Sequence, residues 1–176
     1  MNIEKLSKMV RNVPDFPIPG IQFKDVTTLF KNAAILQEIV DGMYEIYKDK
    51  GITKVVGIES RGFIVGPLLA VRLNAGFIPI RKPGKLPATI FEESYEKEYG
   101  TDSIQIHQDA IEQGEIVLLH DDLLATGGTM HAAVRLIKKF NPQKIYVNFL
   151  IELEALKGRD GFPQDIQIDS IIHYDI

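Results

Sequence analysis

Apolar residues recur along this chain with two periods, and the alternation between those periods outlines its elements. Ile3, Leu6 and Val10 keep helical spacing. That helix must stop before the turn Pro14-Asp15-Phe16-Pro17-Ile18-Pro19-Gly20, where proline fixes the backbone and removes donors. An irregular loop is expected after it. Asn32 stands as an N-cap for a longer helix in which Leu36, Ile39, Val40, Met43, Tyr44 and Tyr47 recur at three and four until Gly51 ends the pattern. Residues 53–58 form a β-branched run that predicts a buried strand, and residues 62–73 predict a helix that tolerates Pro67 in its first turns. A short strand over 77–80 and a buried one over 116–119 follow. A helix over 127–140, stopped by Asn141-Pro142, leads to a further buried strand over 145–151 and a closing strand over 169–174. Short apolar strands alternating with helices predict an α/β fold: a central, mainly parallel five-stranded sheet flanked by helices.

Between residues 81 and 114 the pattern changes. Charged and aromatic residues crowd together, and the best periodicity is the alternation Ser103-Ile104-Gln105-Ile106-His107, which predicts a long hairpin or flap. Stretches of this length in a compact domain are usually lids or disordered segments, and two tyrosines with a glycine favour a lid.

At 176 residues and 45% hydrophobic the chain encloses one core, so a single domain is expected. It has no run of about eighteen apolar residues and no apolar segment behind a basic start, so neither a membrane span nor an export signal is expected. With no cysteine there is no disulfide, thiolate metal site or thiol nucleophile, which suits a cytoplasmic protein. A net charge of −4 argues against a general nucleic-acid binder and makes local basic clusters informative.

The strongest chemical signal is Asp121-Asp122-Leu123-Leu124-Ala125-Thr126-Gly127-Gly128-Thr129, entered from the buried run Ile116-Val117-Leu118-Leu119-His120. Two carboxylates leave the end of a strand, and a small, Gly-rich turn then opens a helix. Small residues let backbone N–H groups approach an anion, the helix N-terminus adds its dipole, and Thr126 and Thr129 can donate hydroxyl hydrogens. The carboxylates cannot favour the phosphate itself, but they can accept hydrogen bonds from the vicinal hydroxyls of a ribose. Acid pair and phosphate nest together predict a ribose phosphate. The lysine of a nucleoside-triphosphate loop is absent.

This segment resembles the phosphoribosyl pyrophosphate signature of the type I phosphoribosyltransferases, in the variant carried by the adenine-specific members. Three further blocks resemble the same enzymes: Pro19-Gly20-Ile21-Gln22-Phe23-Lys24-Asp25, Ser60-Arg61-Gly62-Phe63, and Arg81-Lys82-Pro83-Gly84-Lys85-Leu86-Pro87 with Ser94-Tyr95 and Glu98-Tyr99-Gly100. His120 departs from the pattern, which has an apolar residue there; it is expected to cap the strand end as a buried, hydrogen-bonded group.

The resemblance implies that 5-phosphoribosyl passes from phosphoribosyl pyrophosphate to adenine, giving AMP and pyrophosphate. It implies Mg²⁺, carried mainly by phosphoribosyl pyrophosphate and water with no protein metal cage. It also implies a homodimer in which the Arg81-Lys82 segment lies near the partner's site, a small hood from about residues 1–30 and 152–160, and a mobile flap over about 82–100. Pyrophosphate needs cations, which Arg61, Arg81, Lys82 and Lys85 are expected to supply, Arg61 in a catalytic role and bracketed by Ser60 and Gly62, whose backbone amides can also donate. By the same resemblance Gln22, Phe23, Lys24 and Leu123 hold adenine, the rings of Phe23 and base stacking. Glu98 is expected to handle the proton on the attacking nitrogen, Tyr95 or Tyr99 to lie against the ribose-pyrophosphate, and the Glu59–Ser60 peptide to be cis. Two rivals stand beside this reading: an enzyme for guanine or hypoxanthine, and a non-catalytic sensor of phosphoribosyl pyrophosphate.

Overall fold

The computed structural model describes residues 1–96 and 100–175. Its centre is a five-stranded sheet in the order β4 (Gly76–Ile80), β3 (Lys54–Ile58), β7 (Ile116–Leu124), β8 (Lys144–Leu153), β9 (Gln167–Tyr174). All four neighbouring pairs are parallel. A parallel sheet must be covered on both faces, which explains why these strands read as apolar runs rather than alternating ones. On one face α3 (Ala33–Tyr47) and α4 (Gly62–Arg72) bury Ile39, Met43, Tyr47, Val65 and Leu69 against Val55, Leu118 and Leu150. On the other, α5 (Gly128–Lys138) packs Ala132, Ala133, Leu136 and Ile137 over Val117, Leu119 and Val147. Asn32 caps α3 by accepting from the N–H groups of Ala34 and Ile35, as its position predicts.

The N-terminal helix α1 (Ile3–Met9) buries Leu6, and the stretch after it is more regular than the sequence suggests. β1 (Arg11–Pro14) pairs antiparallel with β2 (Gln22–Asp25), and Arg11 closes the pair on Asp25 at 2.6 Å. Pro17, Pro19 and Gly20 between them mask a hairpin that only the cross-strand pairing reveals. A single helical turn, α2 (Thr27–Phe30), then leads into α3.

The expected flap is an antiparallel hairpin, β5 (Ile90–Glu96) with β6 (Thr101–His107). Its arms belong to the core. Ile104 and Ile106 are fully buried, Tyr95 is buried, and Phe91 meets Phe140 edge to face at 5.3 Å. The inward side of the alternation therefore packs on the α5 side of the sheet. Glu98 and Tyr99 lie outside the described residues. Among the described residues, no helix is long and apolar enough to cross a membrane.

Candidate active site

β3 and β7 are parallel neighbours, so their carboxyl ends open on the same edge of the sheet, the edge at which α/β folds bind ligands. β3 runs into the turn Glu59-Ser60-Arg61-Gly62, whose Glu59–Ser60 peptide is cis. Gly62 holds this turn against β7: a Cβ there would stand 2.8 Å from the carbonyl oxygen of His120. The turn and β7 border a cavity of about 270 Å³ lined by Glu59, Ser60, Arg61, Asp121 and Asp122.

The two carboxylates do not stand beyond the strand end, as the sequence reading has it. β7 continues through them, Asp121 pairing with Phe149 and Leu124 with Glu152 of β8. Strand geometry sends their side chains to opposite sides. Asp122 is buried and ion-paired to Nε of Arg61 at 2.6 Å. Asp121 faces both the first cavity and a second of about 100 Å³, which Leu123, Leu124, Ala125, Thr126, Gly127, Gly128, Thr129, Met130 and Phe149 also line. Gly127, at φ +83°, turns the chain into α5, and no side chain caps the helix start. The first helical N–H groups are thus left for a ligand, and Asp121 joins the two cavities.

Burial, and then the negative Asp122 beside it, push the Asp121 carboxyl well above the usual carboxylate range. Burial also raises Asp122, against the pull of Arg61. His120 is fully buried one residue before this pair. Its Nδ1 donates to Oδ1 of Asn148 at 3.0 Å, and desolvation lowers its pKa to about 4, so the ring is neutral. His120 is buried and hydrogen-bonded as expected, with Asn148 directly opposite on β8, but it does not cap the strand end, because β7 pairs on as far as Leu124.

The remaining expected site residues divide. Arg81 donates from Nε to Glu59 at 3.0 Å, and the backbone N–H of Lys82 donates to the same carboxylate at 2.9 Å. Arg81 therefore stands beside the Ser60-Arg61 turn with its charge already engaged. Lys82 turns toward the hairpin, reaching Asp102 at 2.6 Å and the Tyr95 hydroxyl at 2.9 Å, while Lys85 is exposed. Phe23 lies against the site, with the Arg61 guanidinium carbon 5.5 Å from its ring centre and Phe16 edge-on at 5.1 Å. Gln22 instead accepts from Asn12, and the Lys24 ammonium sits over the Tyr174 ring at 4.4 Å. Sequence reasoning put Glu59 in this turn without a role of its own; its carboxylate is what holds Arg81 and the Lys82 backbone beside the turn.

A profile of the phosphoribosyl transferase domain matches residues 25–171. The chain belongs to this family. It is 66% identical over 172 residues to the adenine phosphoribosyltransferase of Bacteroides thetaiotaomicron, covering 98% of each chain. To the enzyme of the same name from Phocaeicola vulgatus it is 64% identical, covering 98% of this chain and 99% of that one. Among solved phosphoribosyltransferase structures, the adenine enzyme of Rhodothermus marinus superposes with a TM-score of 0.92 at 47% identity, covering 98% of each chain. The Giardia lamblia enzyme complexed with 9-deazaadenine gives 0.93 at 39% identity, covering 100% of this chain and 99% of that one. The fold is thus shared with phosphoribosyltransferases from other organisms.

Proposed function

We propose that this chain transfers 5-phosphoribosyl from phosphoribosyl pyrophosphate to adenine, releasing pyrophosphate and forming AMP for purine salvage. The observation that carries the reading is the junction of two cavities at Asp121. The smaller, walled by Ala125 to Thr129, suits a 5-phosphate, and the larger, walled by Ser60 and Arg61, suits pyrophosphate. On this reading Asp121, which lines both, takes the hydroxyls of the ribose that links the two. The choice of adenine is supported by relatives at 64–67% identity that carry that name.

As the bond from the anomeric carbon to the pyrophosphate oxygen breaks, positive charge builds on the ribose and negative charge on the leaving group. Arg61, fixed by Asp122, meets the leaving group without having to reorganise. Arg81 adds its charge from the Glu59 pair, with Lys82 and Lys85 at the rim. Phe23 and Leu123 enclose the adenine ring, with the Gln22-Phe23-Lys24 backbone reading its edge. Glu98 takes the proton from the attacking nitrogen, and Tyr99 with Gly100 helps exclude water. Mg²⁺, when bound, neutralises charge on the departing pyrophosphate. The carboxylate of Asp122 is held by Arg61 and that of Asp121 is assigned to the ribose, which supports a metal carried by pyrophosphate oxygens and water.

The hood is read as residues 1–30 with 152–160, and the lid as 82–100. Phe91 and Tyr95 are anchored in the core, which limits movement of β5 within that lid. A second copy of the chain is read as docking on α4, where Ile64, Leu68 and Val71 form an exposed apolar stripe and Leu68 and Val71 border a groove of about 380 Å³ with α3. Arg61 stands at the N-cap of that helix, so a partner on it would lie along an element that leads from the site. A reducing cytoplasm suits this cysteine-free chain.

The deciding experiment incubates the protein with phosphoribosyl pyrophosphate, Mg²⁺ and adenine, guanine or hypoxanthine in turn. AMP from adenine, with little product from the others, is expected. Preferential GMP or IMP would transfer the assignment to another base, and binding without any nucleotide would leave a sensor.

A further inference from the structure

The segment that leaves β8 is docked backbone to backbone on the loop that lines the smaller cavity. Glu152, in β8, is 4% exposed and holds Arg159 through two bonds, Nε to Oε1 and Nη2 to Oε2, each 2.6 Å. The same guanidinium donates to the carbonyl of Ile168 at 2.9 Å and to the Ser170 hydroxyl at 3.2 Å, so the fork is tied to β9 as well. Between the partners the chain makes one 3₁₀ turn, Glu154–Leu156, and then a left-handed residue, Lys157 at φ 52°. Both ends of this short excursion are thereby fixed, and they determine where Gly158 stands.

Gly158 is buried. A methyl on it would collide with the carbonyl oxygen of Ala125 and come within 2.8 Å of the Leu124 side chain. Conversely, a methyl on Gly127 would collide with the carbonyl oxygen of Gly158 and stand 3.2 Å from the His131 ring. His131, in the first turns of α5, stacks on Phe162 at 3.8 Å between ring centres and faces the Asp160 and Gly158 backbones. Three contacts therefore wall the outer side of the loop. The carbonyl of Ala125 is held outward against Gly158. In a planar trans peptide the next N–H points the opposite way, so the Thr126 N–H is aimed away from Gly158, on the side of the cavity that Ala125 and Thr126 line.

We propose that Gly158 and Arg159 are positioning residues for the 5-phosphate: the Glu152–Arg159 clamp presses Gly158 onto the loop and so keeps its N–H groups converged on the anion. This rests on the reading that Ala125 to Thr129 hold that phosphate. A phosphate nest gains its affinity from donors aimed in advance, and a loop of small residues has no side chains to hold that shape itself. The wall supplies the rigidity that the loop's composition cannot.

The test measures ribose 5-phosphate and pyrophosphate binding by calorimetry on the full chain and on Gly158→Ala, Arg159→Lys and Gly127→Val. Arg159→Lys keeps the charge but loses the fork, and it carries the test if Gly158→Ala does not fold. Both wall variants are expected to weaken ribose 5-phosphate about tenfold or more, as a small misplacement of a preorganised site does. Pyrophosphate, bound at the Ser60-Arg61 turn, should stay within about twofold in both. In turnover the KM for phosphoribosyl pyrophosphate should rise with kcat largely kept. Unchanged ribose 5-phosphate affinity in the wall variants, or equal loss of both ligands, overturns the proposal. A Gly127→Val chain that binds ribose 5-phosphate as the parent does overturns the phosphate assignment with it.

Discussion

Asp121 shows how one residue trades stability for binding. Its folded-state pKa lies above that of an ordinary aspartate, so folding favours the protonated form and stability falls as pH rises through the folded pKa. On the proposed reading a ribose hydroxyl donates to this carboxylate, so binding would require the charge that the fold resists. Asp121→Asn should therefore raise the melting temperature at neutral pH while weakening phosphoribosyl pyrophosphate binding; a variant that loses both would refute this account. For the parent, affinity should weaken on acidification at a higher pH than an ordinary aspartate would give. His120 has the opposite sign. Its pKa falls from 6.5 to about 4 on folding, so the stability it contributes is complete above about 6.5 and is lost as pH falls toward 4. The cost across that window is on the order of 3 kcal/mol. His120→Leu should flatten that acid limb in denaturant titrations followed against pH.

At the scale of elements, the strand–turn–helix unit from β7 to α5 concentrates what the site needs. Gly127 takes a left-handed conformation, and its Cβ position is filled by the carbonyl of Gly158, so two independent constraints demand glycine there. The hairpin carries the other prediction. Glu98→Gln should lower turnover by about 10² or more, as for a lost general base, with phosphoribosyl pyrophosphate affinity nearly unchanged. Wild-type turnover in that variant, measured where chemistry limits the rate, removes Glu98 from proton transfer. The alternation in β6 was legible because Ile104 and Ile106 face the core. The β1–β2 pairing was not, because four-residue strands flanked by prolines carry too little periodicity to separate from a loop.

For the whole molecule, two bulk measurements follow. Chelating Mg²⁺ should nearly abolish AMP formation while leaving the melting temperature of the free protein unchanged, because the metal is read as entering with its ligand rather than holding the fold. Val71→Glu, at the most exposed point of the α4 stripe, should convert a dimer to a monomer in sedimentation, with little effect on folding since this side chain is 82% exposed. A monomeric parent would remove the basis for that substitution.

The sequence by itself determined the sheet's composition and the ligand class. Buried parallel strands must be apolar runs, and few arrangements other than an anion nest require acids followed by Ala-Thr-Gly-Gly-Thr. Both are local demands, written within a few residues. Only the tertiary structure decided that β7 continues through Asp121 and Asp122, that Arg81 arrives already paired with Glu59, and that Gly158 walls the loop 31 residues after Gly127. Those facts depend on strand register and on contacts between segments far apart in the chain. Periodicity cannot report them, because each partner's sequence satisfies its own local rules without reference to the other.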